Sequence, residues 1–261
     1  MTDLDIIESL LNCASVDELH ASTKKLVHQL GYKHFIYGVR VNASLAHPYQ
    51  FVFSGYPNDW LTHYAESRYQ DIDPAFIHCI KQRRVTPIVW NEQTYAKPDV
   101  ARMLGEAGEH GVRAGVTFSI QGGHGEAALF SLATRVDEQE ARNDVRNTFA
   151  QAQLLACYLH EAIHRTVLTK QAVILSQPVL TEREKECLLW AAEGKTTWEI
   201  ANIIHVAERT VVFHIQNATR KMGVTTRQHA VARAVSMGIV APYNPGRERS
   251  PFIDLQSQRA M

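Results

Sequence analysis

The sequence has no C-x-x-C pair among its four cysteines, no excess of either charge and no internal repeat. It also lacks any apolar run of the ~18 residues that a membrane span needs. Each absence removes a class of protein. Scattered cysteines (Cys13, Cys79, Cys157, Cys187) argue against a disulfide framework or a zinc ribbon and suit buried free thiols in a reducing cytosol. The acidic start, MTDLDIIESLLNCASVDEL, has no basic n-region of a signal peptide, so a cytoplasmic location with no membrane partner is expected. The 27 basic and 27 acidic residues cancel, which still leaves room for a local basic patch. Gly122-Gly123-His124-Gly125 lacks the Lys and following helix of a phosphate loop and reads as a hairpin turn.

What is present changes texture near Ser176-Gln177-Pro178, and 261 residues suffice for two unequal domains. Before that point, VDELHASTKKLVHQLG has the apolar spacing of a helix, stopped by Gly31. HFIYGVRV and YQFVFSG are strand-like, Pro57 opens a helix carrying Trp60 and Tyr64 on one side, and a short helix starts at Pro74. DVARMLGEAGEHG forms another helix closing at Gly111. AGVTFSIQ and AALFSLATR flank the Gly-rich turn as a hairpin, and a long helix runs from Asp137 to about Thr166. Strands that arrive as hairpin neighbours, with helices grouped around them, predict an α+β fold: an antiparallel sheet flanked by helices in an α-β-α sandwich.

The last third has no strand-like alternation and predicts four short helices, a small all-α unit. Thr181 and Glu184 form a capping box, Gly194 ends the first helix, and Thr196 or Thr197 starts the second. After a tight turn at His205-Val206, Val211, Ile215, Ala218 and Met222 make a buried stripe, with Arg209, Val212, Phe213, Gln216 and Arg220 opposite. Residues 179–208 carry three basic and six acidic side chains, whereas 209–240 carry five basic and no acidic ones. Two short helices, a sharp turn and a basic second half are the sequence form of a helix-turn-helix, against the plainer reading of a bundle with a solvated basic face.

LT-x-RE, EGKT, EIA, ERTV-x-FHI-x-N and the closing GI together resemble the DNA-binding domain of the LuxR family. Upstream, GYPNDWLTHY, RYQDIDPAF, PIVWNE and GVRAGVTFSI resemble the acyl-homoserine-lactone-binding domain of quorum-sensing regulators in that family. Trp60, Tyr64, Asp73, Pro74, Trp90 and Gly115 match its pattern, and Tyr56 and Ser131 fall on ligand-contact positions. The resemblance covers about residues 16 to 240. It implies an autoinducer-binding domain (1–166), a linker (167–178), a helix-turn-helix domain (179–240) and a tail (241–261) that reads as flexible.

The chemistry of those residues suits an acyl-homoserine lactone. Trp60 offers a donor to a lactone carbonyl, ionised Asp73 accepts an amide N–H, and the Tyr56 and Ser131 hydroxyls donate to the acyl carbonyl. Tyr64, Trp90, Tyr95 and Val116 then surround the acyl tail, and the Thr117 hydroxyl reaches the region of its third carbon. Leu61 and Ala75 cannot donate, so an unsubstituted acyl chain is expected over a 3-oxo chain, with the Thr117 hydroxyl the one donor from the strand that works against that preference. On a purely structural reading Trp60 and Tyr64 are the inward face of a helix, and Asp73 caps a helix at Pro74.

In the DNA-binding part, Thr196, Thr210 and Lys221 are expected at phosphates and Val212, Phe213 and Gln216 at base edges, with Arg209 and Arg220 alongside. Ala207 stands where relatives often have a capping Ser. The implied partner is double-stranded DNA with a pseudo-palindromic operator, read by a homodimeric activator. No cofactor, metal or catalytic residue is expected. The rival reading is a zinc metallopeptidase using His160-Glu161-Ala162-Ile163-His164, an H-E-x-x-H spacing that lacks an evident third ligand. A further alternative is a regulator of this family that acts without acyl-homoserine lactone.

Overall fold

The computed structural model describes residues 3–41, 48–91, 93–122, 126–134, 138–169 and 178–240. The chain divides into two compact units, Met1–Ser176 and Gln177–Met261.

The first unit holds one antiparallel sheet in the order β2-β1-β5-β4-β3, made of β1 (His34–Val41), β2 (Tyr49–Ser54), β3 (Ile88–Val89), β4 (Ala114–Gln121) and β5 (Ala127–Thr134). Its helices are α1 (Asp3–Glu8), α2 (Val16–Gln29), α3 (Asn58–Glu66), α4 (Pro74–Phe76, continued by a π-turn over Ile77–Lys81), α5 (Pro98–Glu109) and α6 (Glu138–Ile163). The expected sandwich is the observed one.

Alternation along the strands sorts the residues onto two faces. Phe35, Tyr37, Val39, Val116, Phe118, Phe130 and Leu132 point to one side and pack in the main core with Leu155, Leu159 and Ile163 of α6. On the other side Tyr56, Trp60, Tyr69, Trp90, Tyr95, Met103 and Val112 form a second, aromatic cluster. A one-residue slip of register would exchange these faces, so the hydrophobic pattern itself fixes the pairing of Ile36 with Ser131 and of Thr117 with Ser131.

Three corrections arise here. Val116 lies in the main core and does not face the aromatic cluster, because it alternates with Thr117. Cys13, Cys79 and Cys187 are buried free thiols, but Cys157 is exposed. Val167 and Leu168 are buried in the main core through a π-turn at His164–Leu168, so ordered packing continues past residue 166. Most of the expected linker, and all of the tail at 241–261, fall outside the described residues. Among the described residues no helix is long and apolar enough to cross a membrane.

The second unit contains α7 (Glu182–Ala192), α8 (Thr197–Ile203), α9 (Glu208–Lys221) and α10 (Arg227–Ser236). Thr181 and Thr196 each form a capping box, with Glu184 and Glu199 respectively. Gly194 (φ +78°) supplies the left-handed residue that ends α7. The turn between α8 and α9 turns on His205, which adopts φ +55° without being Gly.

Candidate functional site

Between the sheet and helices α3 to α5 lies a cavity of about 330 Å³, within the range usual for small-molecule pockets. Tyr56, Trp60, Tyr64, Asp73, Trp90, Tyr95 and Ser131 all line it, so seven of the eight residues expected at the ligand share one wall system. Thr117 does not line it. Its hydroxyl is fully buried behind the wall, accepting from Trp90 Nε1 at 2.9 Å and bonded to Ser131 Oγ at 2.9 Å. Thr117 therefore orients two lining residues from behind the cavity wall.

Asp73 is the polar centre. Its Oδ1 accepts from the Ala75 N–H at 2.8 Å, capping α4, and its Oδ2 accepts from the Tyr64 hydroxyl at 2.9 Å. Tyr64 was expected only as an apolar wall, and its hydroxyl turns out to hold the carboxylate. Burial pushes the Asp73 carboxyl above its usual range, against the opposing bonds from Tyr64 and from the Ala75 and Phe76 backbone. Each carboxylate oxygen keeps acceptor capacity beyond its protein partner. The Tyr56 hydroxyl is buried with no hydrogen-bond partner. Burial, then the nearby Asp73, raise its ionisation far beyond the working range, so it stays a neutral donor. Trp60 is held by rings on several sides, with centroids 5.9 Å from Tyr64 and 6.0 Å from Tyr69.

The sequence reading missed Arg40 and Gln50, which face each other across β1 and β2 and both line the cavity. Arg40 Nε is buried there without a partner. The signal was available: Arg40 shares the parity of Ile36 and Gly38 on β1, which also line the cavity.

On α9 the buried stripe is Val211, Ile215 and Ala218, followed by buried Met222 just past its end, and the opposite face exposes Arg209, Val212, Phe213, Gln216 and Arg220. Phe213 is 58% exposed, an unusual position for a large apolar ring in a free helix. Thr196 stays exposed at the start of α8 and Thr210 is half-buried in the first turn of α9. Ala207 gives α9 no side-chain cap, as the sequence predicts.

Lys221 has a protein partner that the sequence does not announce. Its Nζ donates to Glu184 Oε2 at 2.8 Å, and that Glu184 side chain is only 4% exposed. Burial pushes the Glu184 carboxyl up, but Lys221 and Thr181 outweigh it and hold it below its usual value. A depressed carboxyl contributes stability above its unfolded value that is lost as pH falls through the folded one. Lys221 thus ties α9 to α7. Lys221→Ala is expected to destabilise the helical unit by about 1–2 kcal/mol, the low end for a charged hydrogen bond because Lys221 is partly exposed. Denaturant unfolding of this variant checks it; unchanged stability with a shallower salt dependence of DNA binding would favour the phosphate role.

Comparison with known proteins bears on both sites. Residues 15–163 match the autoinducer binding domain family, and 178–234 match the luxR family of bacterial regulatory proteins. The chain belongs to the LuxR family. Within it, the chain is 34% identical over 241 residues to the transcriptional activator protein VanR of Vibrio anguillarum, covering 92% of this chain and 98% of that one. It is 33% identical over 238 residues to the transcriptional activator protein AnoR of Acinetobacter nosocomialis, covering 90% and 98%. Among solved structures, SdiA in complex with octanoyl-rac-glycerol superposes with a TM-score of 0.73 at 22% identity, covering 93% of this chain and 96% of that one. That likeness speaks to the fold. As a LuxR-type quorum-sensing regulator, the protein carries an autoinducer-binding domain and a DNA-binding domain.

The metallopeptidase reading finds no support in this LuxR assignment. Geometry also opposes it: Glu161 is half-exposed and bonds Arg165, in the π-turn that follows α6, at 2.7 Å, instead of serving as a base beside the histidines.

Proposed function

We propose that the cavity binds an N-acyl-homoserine lactone, and that the ligand controls DNA binding by a homodimer in the cytoplasm. One observation carries the ligand reading. A single apolar cavity contains a buried acceptor, Asp73, and a buried donor without a protein partner, the Tyr56 hydroxyl. An amide N–H followed by a carbonyl satisfies both at once, and an unmet pair would cost about 1–3 kcal/mol per group. In this reading Trp60 donates to the lactone carbonyl, Asp73 accepts the amide N–H, and Tyr56 with Ser131 donates to the acyl carbonyl. Trp90, Tyr95 and the stem of Tyr64 enclose the chain. Thr117 acts through Trp90 and Ser131. The test is expression with and without a panel of acyl-homoserine lactones, followed by mass spectrometry of what co-purifies. No bound lactone, together with operator binding that ignores the panel, would favour a regulator that works without this ligand.

Leu61 and Ala75 line the cavity and offer no donor. Arg40 lies four residues beyond Ile36 on β1, about 13 Å along the strand, and so serves the far part of the chain. The protein is therefore proposed to prefer unsubstituted acyl chains, by roughly 5- to 150-fold over a 3-oxo group left unpaired. Reporter titrations with matched pairs measure this, and a lower half-activating concentration for the 3-oxo member at every length would overturn it.

VanR and AnoR are named activators, which supports activation here as well. A two-fold dimer would read a pseudo-palindrome with half-sites about one helical turn apart. Val212, Phe213 and Gln216 are assigned to base edges, and Thr196, Arg209, Thr210 and Arg220 to the backbone. Gln216→Ala is expected to weaken operator binding by about 1–3 kcal/mol while leaving random DNA unaffected. Equal loss on both would remove Gln216 from the base-reading set.

A further inference from the structure

The H-E-x-x-H segment is not explained by the autoinducer cavity, nor by the helix-turn-helix. It lies near the end of α6, on the sheet face away from the cavity. His160 and His164 stand one turn apart with ring centroids 4.8 Å from each other. The third group, absent from the local sequence motif, arrives from the strand hairpin. Glu126 has the parity of Ala128 and Phe130, which places its carboxylate under α6. Its Oε1 lies 2.8 Å from His164 Nε2 and 3.9 Å from His160 Nε2. One donor atom from each of the three residues lies within 4.8 Å of the other two.

An ion pair would account for Glu126 and His164 alone. His160 faces the same carboxylate at the longer distance, and its Nδ1 is hydrogen-bonded to the fully buried Tyr37 hydroxyl at 2.8 Å. With Nδ1–H donating to the Tyr37 oxygen, the Nε2 lone pair is free for an ion set between it and the carboxylate, the arrangement in which an outer partner orients a metal-binding imidazole. The surroundings are built to match. Arg83 donates to the Glu126 backbone carbonyl at 3.0 Å, and a Cβ on Gly122 would fall 2.7 Å from Glu126 Oε2, so only Gly leaves the carboxylate this room without a shift. The π-turn that widens α6 begins at His164, and such turns recur at functional sites.

The geometry points to a binding site for a divalent transition-metal ion of the zinc class, held by Glu126, His160 Nε2 and His164 Nε2. Two imidazoles and one carboxylate suit Zn²⁺ and its neighbours, whereas Ca²⁺ and Mg²⁺ require a shell of oxygens. Tetrahedral bonds of about 2.0–2.2 Å set donors about 3.3–3.6 Å apart, so an ion requires the Glu126–His164 contact at 2.8 Å to open and the Glu126–His160 contact at 3.9 Å to close. A fourth position opens beside His164, whose side chain is 25% exposed. Because Glu161 is turned away to Arg165, the ion has a fastening role: it ties the last turns of α6 to the β4–β5 hairpin. This inference is independent of which autoinducer the protein binds.

The experiment is a titration of the full-length, chelator-stripped protein with Zn²⁺ against a chromophoric zinc chelator, followed by X-ray absorption of the zinc-loaded protein. The expected result is one zinc per chain, in a shell of N and O ligands at about 2.0–2.2 Å with no sulfur at about 2.3 Å. Tyr37→Phe should weaken binding roughly 10- to 100-fold as an outer partner, and Glu126→Gln or His164→Gln should weaken it more. Absence of stoichiometric zinc, a sulfur ligand in the shell, or parental affinity in Glu126→Gln would each overturn the proposal. The absorption spectrum is taken on the unmodified protein, so it decides the matter even if a variant fails to fold.

Discussion

Asp73→Ala is expected to weaken autoinducer binding by about 10- to 150-fold, which corresponds to the roughly 1.5–3 kcal/mol of a hydrogen bond to a charged group. Three consequences of the substitution act in one direction. The amide of the proposed ligand loses its acceptor in a largely apolar cavity, the Tyr64 hydroxyl loses its partner, and the Ala75 N–H at the start of α4 loses its cap. Asp73→Asn keeps the cap and an acceptor but no charge, so it should fall between. Isothermal titration or a reporter dose–response measures the series, and a parental response from Asp73→Ala at every concentration would remove Asp73 from the ligand site.

The pH dependence gives a second reading of the same residue. Burial raises the free-protein Asp73 carboxyl above its usual range, and an amide N–H donated to it favours the ionised form. Binding therefore releases a proton, and affinity should fall as pH drops through the raised value, by up to about tenfold per pH unit. Stability of the ligand-free unit moves oppositely. A carboxyl raised on folding contributes stability that is full below its unfolded value and lost as pH rises through the folded one. Acid should thus strengthen this contribution to folding while weakening ligand binding. In Asp73→Asn both trends should vanish.

Periodicity made the elements legible. The apolar spacing of α2 and the Gly-flanked hairpin of β4 and β5 require only local pattern, and both appear where they are expected. The capping box at Thr181 was equally local. What stayed hidden depended on partners distant in the chain. Lys221 looks like a free cation until α7 brings up Glu184, 37 residues away, as a buried carboxylate. Thr117 and Val116 are adjacent, and only the register of β4 on β5 decides which of them faces the cavity side. Arg40 and Glu126 depend on the same kind of information: strand parity assigns each to a face, but only the folded partners show what the charged group meets there. The aromatic cluster was found through family resemblance, since Trp60 and Tyr64 on a helix otherwise describe ordinary core.

Gly115→Val is expected to be the most destabilising single substitution in the sheet, by about 3 kcal/mol or more, lowering the melting temperature by about 6–12 °C. Gly115 pairs with Ala133 across β4 and β5, and a Cβ built on it falls 2.1 Å from the Leu132 carbonyl oxygen. That neighbour is backbone in the middle of a ladder, so it cannot rotate away; the two strands have to separate. The damage reaches the ligand cavity. The Gly115 carbonyl accepts from the Trp90 N–H at 2.9 Å, and Trp90 in turn bonds Thr117, which bonds Ser131. Autoinducer affinity should therefore fall together with stability, even though Gly115 itself is not assigned to the ligand. Gly105→Ala is the matched control. It lies in the exposed interior of α5, where an added Cβ meets nothing within 4 Å, and there Ala should stabilise by roughly 0.5–1 kcal/mol. Thermal unfolding of the two variants side by side checks the argument, since opposite signs are expected from losing glycine in each. A Gly115→Val protein as stable as the parent would mean that β4 and β5 do not approach as closely as their register requires.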